Sequence, residues 1–227
     1  MAETTITVQG EHSAWYPAER ATVAASVLTD GPERDHVFAR AVESSDALRN
    51  LIEGIHDRAA GPITWWSSDS VRVWSERPWN NEGKQVEAVF HAAVDFSAKF
   101  SDFDALARWV ESAAGIDAVS VSSIEWNLTD ATRTSATVEV RSRAVKNAVA
   151  KATVFAQSIG LGSVTAIALA DPGMLGDPAG SGGGMQPVFA RSAMSSRIAG
   201  GPGLPELALK PEEIGVAAVV DARFIAR

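Results

Sequence analysis

The longest coherent pattern of apolar and polar positions covers residues 123–169. A strand alternating Ile124, Trp126 and Leu128 leads through a polar turn into one long amphipathic helix, which the pattern ends at Gly160 or Gly162, and a β-branched strand follows from Val164. Within that helix Val145, Val149, Ala152, Ala156 and Ile159 recur at steps of four and three, and Ala144, Ala148 and Phe155 widen the stripe. So many alanines predict close approach of another surface. Arg141, Arg143, Lys146 and Lys151 are expected largely away from the stripe.

The remainder resolves into shorter elements. Residues 5–10 and 21–28 alternate apolar with polar or small positions and read as a strand pair joined by an irregular turn at Pro17. Val37, Phe38, Ala41, Val42, Leu48, Leu51, Ile52 and Ile55 predict a helix of about six turns over residues 33–55. After Gly61 and Pro62, residues 63–74 and 85–96 form two alternating stretches, with a hairpin loop over residues 76–83. A second helix is expected over residues 100–114, with Asp102 as N-cap and Gly115 as stop. Residues 116–128 and 215–225 supply further strands. The order β-β-α-β-β-α-β-α-β predicts an α+β fold, with helices packed on mainly antiparallel sheet.

Composition changes sharply once along the chain. Half of the 18 glycines and more than half of the 10 prolines fall within residues 172–211, a segment expected to be a long mobile loop or insertion before the last strand rather than a domain. The 227 residues suffice for one large domain or two interlocked smaller ones. A net charge of −8 argues against nucleic acid as a partner, because that affinity rests on Lys and Arg contacts to phosphates. The absence of cysteine excludes disulfides, thiolate metal sites and cysteine nucleophiles. No apolar run approaches the roughly 20 residues of a membrane span. The opening MAETTITVQGEHSAWY has neither a basic start nor an apolar core, as expected of a cytoplasmic chain.

Catalytic and metal signals are weak. His12, His36, His56 and His91 are widely spaced, and no pair has metal-ligand spacing. The glycine run at residues 180–184 lacks the Gly-Lys-Ser/Thr ending of a phosphate loop. Acidic pairs such as Asp102 with Asp104 and Glu212 with Glu213 sit where carboxylates stabilise turns and helix starts. The tryptophans stand out instead, since Trp65, Trp66, Trp74 and Trp79 crowd into 15 of the chain's residues. Alternation puts Trp66 and Trp74 on one face and Trp65 on the other, so both faces of this hairpin call for cover: core, a subunit interface, or a flat ligand.

Four stretches carry a resemblance to a known family: ITVQGEHSAWYPAERATV at residues 6–23, EWNLTD at 125–130, RAVKNAVAKATVFAQSIGL at 143–161, and VAAVVDARFIAR at the C-terminus. They resemble the SIMPL-domain family of bacterial proteins. That resemblance implies one SIMPL-like α+β domain over residues 1–227, assembling into large ring-like or channel-like homo-oligomers. Its members are mostly exported envelope proteins, several linked to oxidative-stress tolerance. No catalytic residues are established for the family, so none is carried over. The missing export signal and the Gly/Pro segment depart from the pattern and favour an intracellular assembly. The expectation is thus a soluble, non-enzymatic, cofactor-free protein whose partner is itself. The alternative is a small-molecule binding module using Trp65, Trp66, Trp74 and Trp79 as an aromatic wall.

Overall fold

A computed structural model of the chain describes residues 3–79, 83, 85–175 and 209–227. In chain order the elements are β1 (Thr4–Tyr16), β2 (Arg20–Gly31), α1 (Arg34–Glu53), β3 (Ile63–Ser68), β4 (Arg72–Glu76), β5 (Val89–Phe100), α2 (Phe103–Ala114), β6 (Val119–Asn127), α3 (Asp130–Ser158), β7 (Val164–Ala170) and β8 (Ile214–Ala226). Every pairing between these strands is antiparallel, and the architecture is α+β. Most of the expected Gly/Pro segment, residues 176–208, lies outside the described residues.

The chain divides into two compact units. The first draws its described residues from Met1–Pro17, Leu128–Ala199 and Glu213–Arg227, and holds the sheet β1-β8-β7 with α3 packed on one face. Here one expectation is corrected: β1 does not pair with β2. It runs against β8 in unbroken register from Thr4↔Ala226 to Tyr16↔Ile214. Pro17 has no N–H to extend a ladder, and the chain leaves this unit there. The inward positions of β1, Ile6 and Val8, are matched by Phe224 and Ala222, so the apolar face of β1 is completed by the far end of the chain.

Helix α3 opens on Thr129, whose hydroxyl accepts from the Thr132 N–H at 3.3 Å. It closes through Gly160 at φ +81°, while the Leu161 N–H reaches the Ala156 carbonyl at 2.9 Å, a left-handed C-terminal turn that favours glycine. Its buried face also differs from expectation. The buried row is Ala136, Val140, Ala144, Ala148, Ala152 and Ala156, in strict steps of four, whereas Val149, Phe155 and Ile159 are exposed. The reason is Gly10. A Cβ built there would lie 2.1 Å from the Ala144 carbonyl oxygen and 2.7 Å from the Ala148 Cβ. The helix backbone therefore rests directly on the strand, and only a row of small side chains permits that.

The second unit draws its described residues from Ala18–Asn127 and Gly200–Glu212, and holds the sheet β3-β5-β2-β6, with β4 also pairing β5. Ala21, Val23, Ala25 and Val27 of β2 and Val94, Phe96, Ala98 and Phe100 of β5 form its core with Leu48 and Ile52 of α1 and Leu106 and Trp109 of α2. Asp102 caps α2 as expected, accepting from the Ala105 N–H at 2.9 Å. The helix begins at Phe103 rather than Phe100, because Phe100 is the last residue of β5. The stretch over residues 63–74 is not one strand either. It forms β3 and β4, laid end to end along the same partner β5.

Candidate interaction surface

Both helices of the second unit pack on the face of its sheet that carries the core just described. The opposite face follows from the register. Trp65 pairs with Lys99, Trp74 with His91, Arg72 with Ala93 and Leu28 with Ala93 across β5, and directly opposed residues share a face. Trp65 is 48% exposed, Trp74 43% and Leu28 54%. Trp66 pairs with Ala98 and packs against the core instead.

This overturns the expected arrangement, in which Trp66 and Trp74 share a face. Between Ser68↔Phe96 and Arg72↔Ala93, four steps along the β3–β4 chain oppose three along β5. The extra residue reverses the in-out parity. Trp65 and Trp74 are thereby brought to one face, and Trp66 alone turns inward.

Polar contacts fix both exposed rings. The Trp74 indole stacks on the His91 imidazole, with centroids 5.2 Å apart and planes at 19°. His91 Nε2 is 3.4 Å from Glu76 Oε1. The Lys99 ammonium lies 5.8 Å from the centroid of the Trp65 ring, in cation–π range. Between them Arg72 pairs with Asp95 at 2.7 Å. The face is of mixed charge and marked toward each end by an indole.

The four tryptophans do not form one wall. Lys99 and His91, the partners of Trp65 and Trp74, are eight residues apart on β5, about 27 Å at ~3.4 Å per residue. Trp79 sits apart, 68% exposed, where it bridges to Gln85 at the hairpin. Residues 80–82 of the expected loop, and residue 84 after it, lie outside the described residues. A single small ligand cannot span Trp65 and Trp74, whereas a broad partner surface can.

Elsewhere the chemistry is dispersed. Among the described residues no group of three or more His, Asp or Glu side chains converges as a metal site. No described helix is long and apolar enough to cross a membrane. In the first unit, Tyr16 donates its hydroxyl to Glu139 Oε2 at 3.3 Å, and Arg143 holds Glu139 Oε1 at 2.9 Å. Loss of hydration, then the charge and hydrogen bond of Glu139, raise the Tyr16 pKa above the ordinary value near 10, with Arg143 opposing. An open depression beside this group is lined by Ser135, Val138, Ser142 and Lys146. It lacks a nucleophile paired with a base.

Comparison with known proteins adds one finding. The family model SIMPL, described as a protein of unknown function (DUF541), matches residues 6–224. No curated protein matches the chain.

Proposed function

Because the chain belongs to the SIMPL family, for which no function is established, we propose from its surface that it is a non-enzymatic, self-assembling protein whose copies associate through the outer sheet face of the second unit. The assembly is a large homo-oligomer of the ring or channel kind that the sequence resemblance implies, with stress tolerance as its setting. The observation that carries this reading is the pair of half-exposed indoles, Trp65 and Trp74, on the sheet face opposite the described helices α1 and α2. Covering the exposed half of each ring removes on the order of 100 Å² from water, about 2.5 kcal/mol per ring at ~25 cal/mol per Å².

Two further features support a second copy as the occupant. The net charge of −8 sets copies of the chain to repel one another overall, yet this face carries Arg72 and Lys99 among Glu76 and Asp95 and so offers both signs of charge to a neighbouring copy. Association through the edges β3, β6 and β7 is disfavoured, because each contains a register shift, a device that disrupts edge pairing.

The test is the double substitution Trp65→Ser with Trp74→Ser, assayed by sedimentation velocity. Buried tryptophans at interface centres typically contribute 2 kcal/mol or more each, so the dissociation constant is expected to rise by well over about tenfold. Trp79→Ser, on the hairpin, should leave the mass distribution unchanged. An oligomer that persists undiminished in the double variant would remove this face from the account.

A further inference from the structure

Strand β1 is the longest sheet edge, and unlike β3, β6 and β7 it carries no register shift. It holds 13 residues in one unbroken register against β8, and no other described strand pairs with its far side. In an antiparallel ladder alternate residues direct both backbone polar groups outward, and such a row is a template for another strand. On β1 those residues are the odd-numbered ones, as Gln9 and Glu11 show. The Glu11 N–H donates to Asn147 Oδ1 at 3.2 Å, and the Gln9 carbonyl accepts from Lys151 Nζ at 3.0 Å. Lys151 Nζ also lies 3.5 Å from Glu11 Oε1.

The match in spacing is geometric. Asn147 and Lys151 stand one four-residue step apart on α3, about 6 Å of helix rise, while Gln9 and Glu11 are two residues apart on the strand, about 6.8 Å. The same step places Arg143 before them and Phe155 after them on the same side of the helix. Two side chains thus occupy the hydrogen-bonding positions that a neighbouring strand would take, at the middle of the longest edge. Because Gly10 lets α3 settle onto β1, their short reach is sufficient.

We propose that Asn147 and Lys151 are an edge guard: they close β1 to strand addition by the β1 of a second copy. The excluded partner is an antiparallel β1. Paired about Gln9, its Glu11 faces Thr7, whereas parallel in-register pairing would set Glu11 against Glu11. The guard stands independently of the tryptophan face, and it keeps the three-stranded sheets of two copies from joining through β1.

The guard is tested by Asn147→Ala with Lys151→Met, which keeps an aliphatic stem on α3 while removing both contacts, made in the Trp65→Ser and Trp74→Ser background. The readouts are mass by light scattering and cooperative thermal unfolding. The weight-average mass at micromolar concentration is expected to rise toward twice that of the parent background, because an antiparallel β1 pair closes at two copies. Adding Gln9→Pro, whose lost N–H points away from β8, should restore the parental mass. Aggregation caused by poor folding would not be reversed by proline. Lys151→Gln alone, the mildest change, should give the same direction of effect if the double variant unfolds. An unchanged mass in the folded guardless protein, or added mass that Gln9→Pro leaves in place, would overturn the proposal.

Discussion

Gly10→Ala is expected to lower the stability of the first unit by about 3 kcal/mol, at the upper end of what overpacking costs. The added methyl would meet the Ala144 carbonyl oxygen at 2.1 Å and the Ala148 backbone nitrogen at 2.7 Å. Neither is the end of a flexible side chain, so no rotamer change relieves the contact. Helix α3 must lift from β1 and β8, loosening Ala148, Ala152 and Ala156 against Ile6, Val8 and Phe224. Urea unfolding should show a lower midpoint with an unchanged slope. Ala148→Gly in the same chain should recover only part of the loss, because the Ala144 carbonyl remains in the way. A midpoint equal to that of the unaltered protein would mean that the helix does not rest on this glycine.

Phe100→Ala is expected to cost the second unit about 4 kcal/mol, the range for deleting a fully buried phenylalanine. The side chain is completely buried, and its ring centroid lies 5.4 Å from that of Trp109, with the planes tilted at 58°. Its cross-strand partners are Ala21 on one side and Ile63 on the other. Ala21 is too small to close the space, so the deleted ring leaves a cavity rather than a collapsed site. Phe100→Leu should cost much less, roughly 1.5 kcal/mol, because most of the volume stays filled. Denaturant midpoints of the two variants check the ranking, and equal losses would contradict it.

What the sequence made legible was local. Asp102 capping α2 and Gly160 ending α3 depend on neighbours within one turn, and both stand where the residue types placed them. The α+β class likewise followed from alternation and helical spacing. The partner of β1 did not, because Thr4 pairs with Ala226 and no local pattern joins the two ends of the chain. For α3, apolar size pointed to Val149, Phe155 and Ile159, although the row of alanines at strict four-residue spacing was present in the sequence. Its counterpart, Gly10, lies on another element, and proximity alone reveals why small residues win. The tryptophan face was missed for a different reason. One extra residue between Ser68 and Arg72 reverses parity, and nothing in that polar stretch marks it. The exposure of Trp65 and Trp74, on which the functional reading rests, is a property of the assembled sheet.

The central claim is self-association, and light scattering of the unaltered protein at two micromolar concentrations tests it most directly. The account predicts a discrete mass that is a large multiple of the 23.9 kDa chain and is unchanged between the two concentrations. A mass of one chain at both concentrations would contradict it.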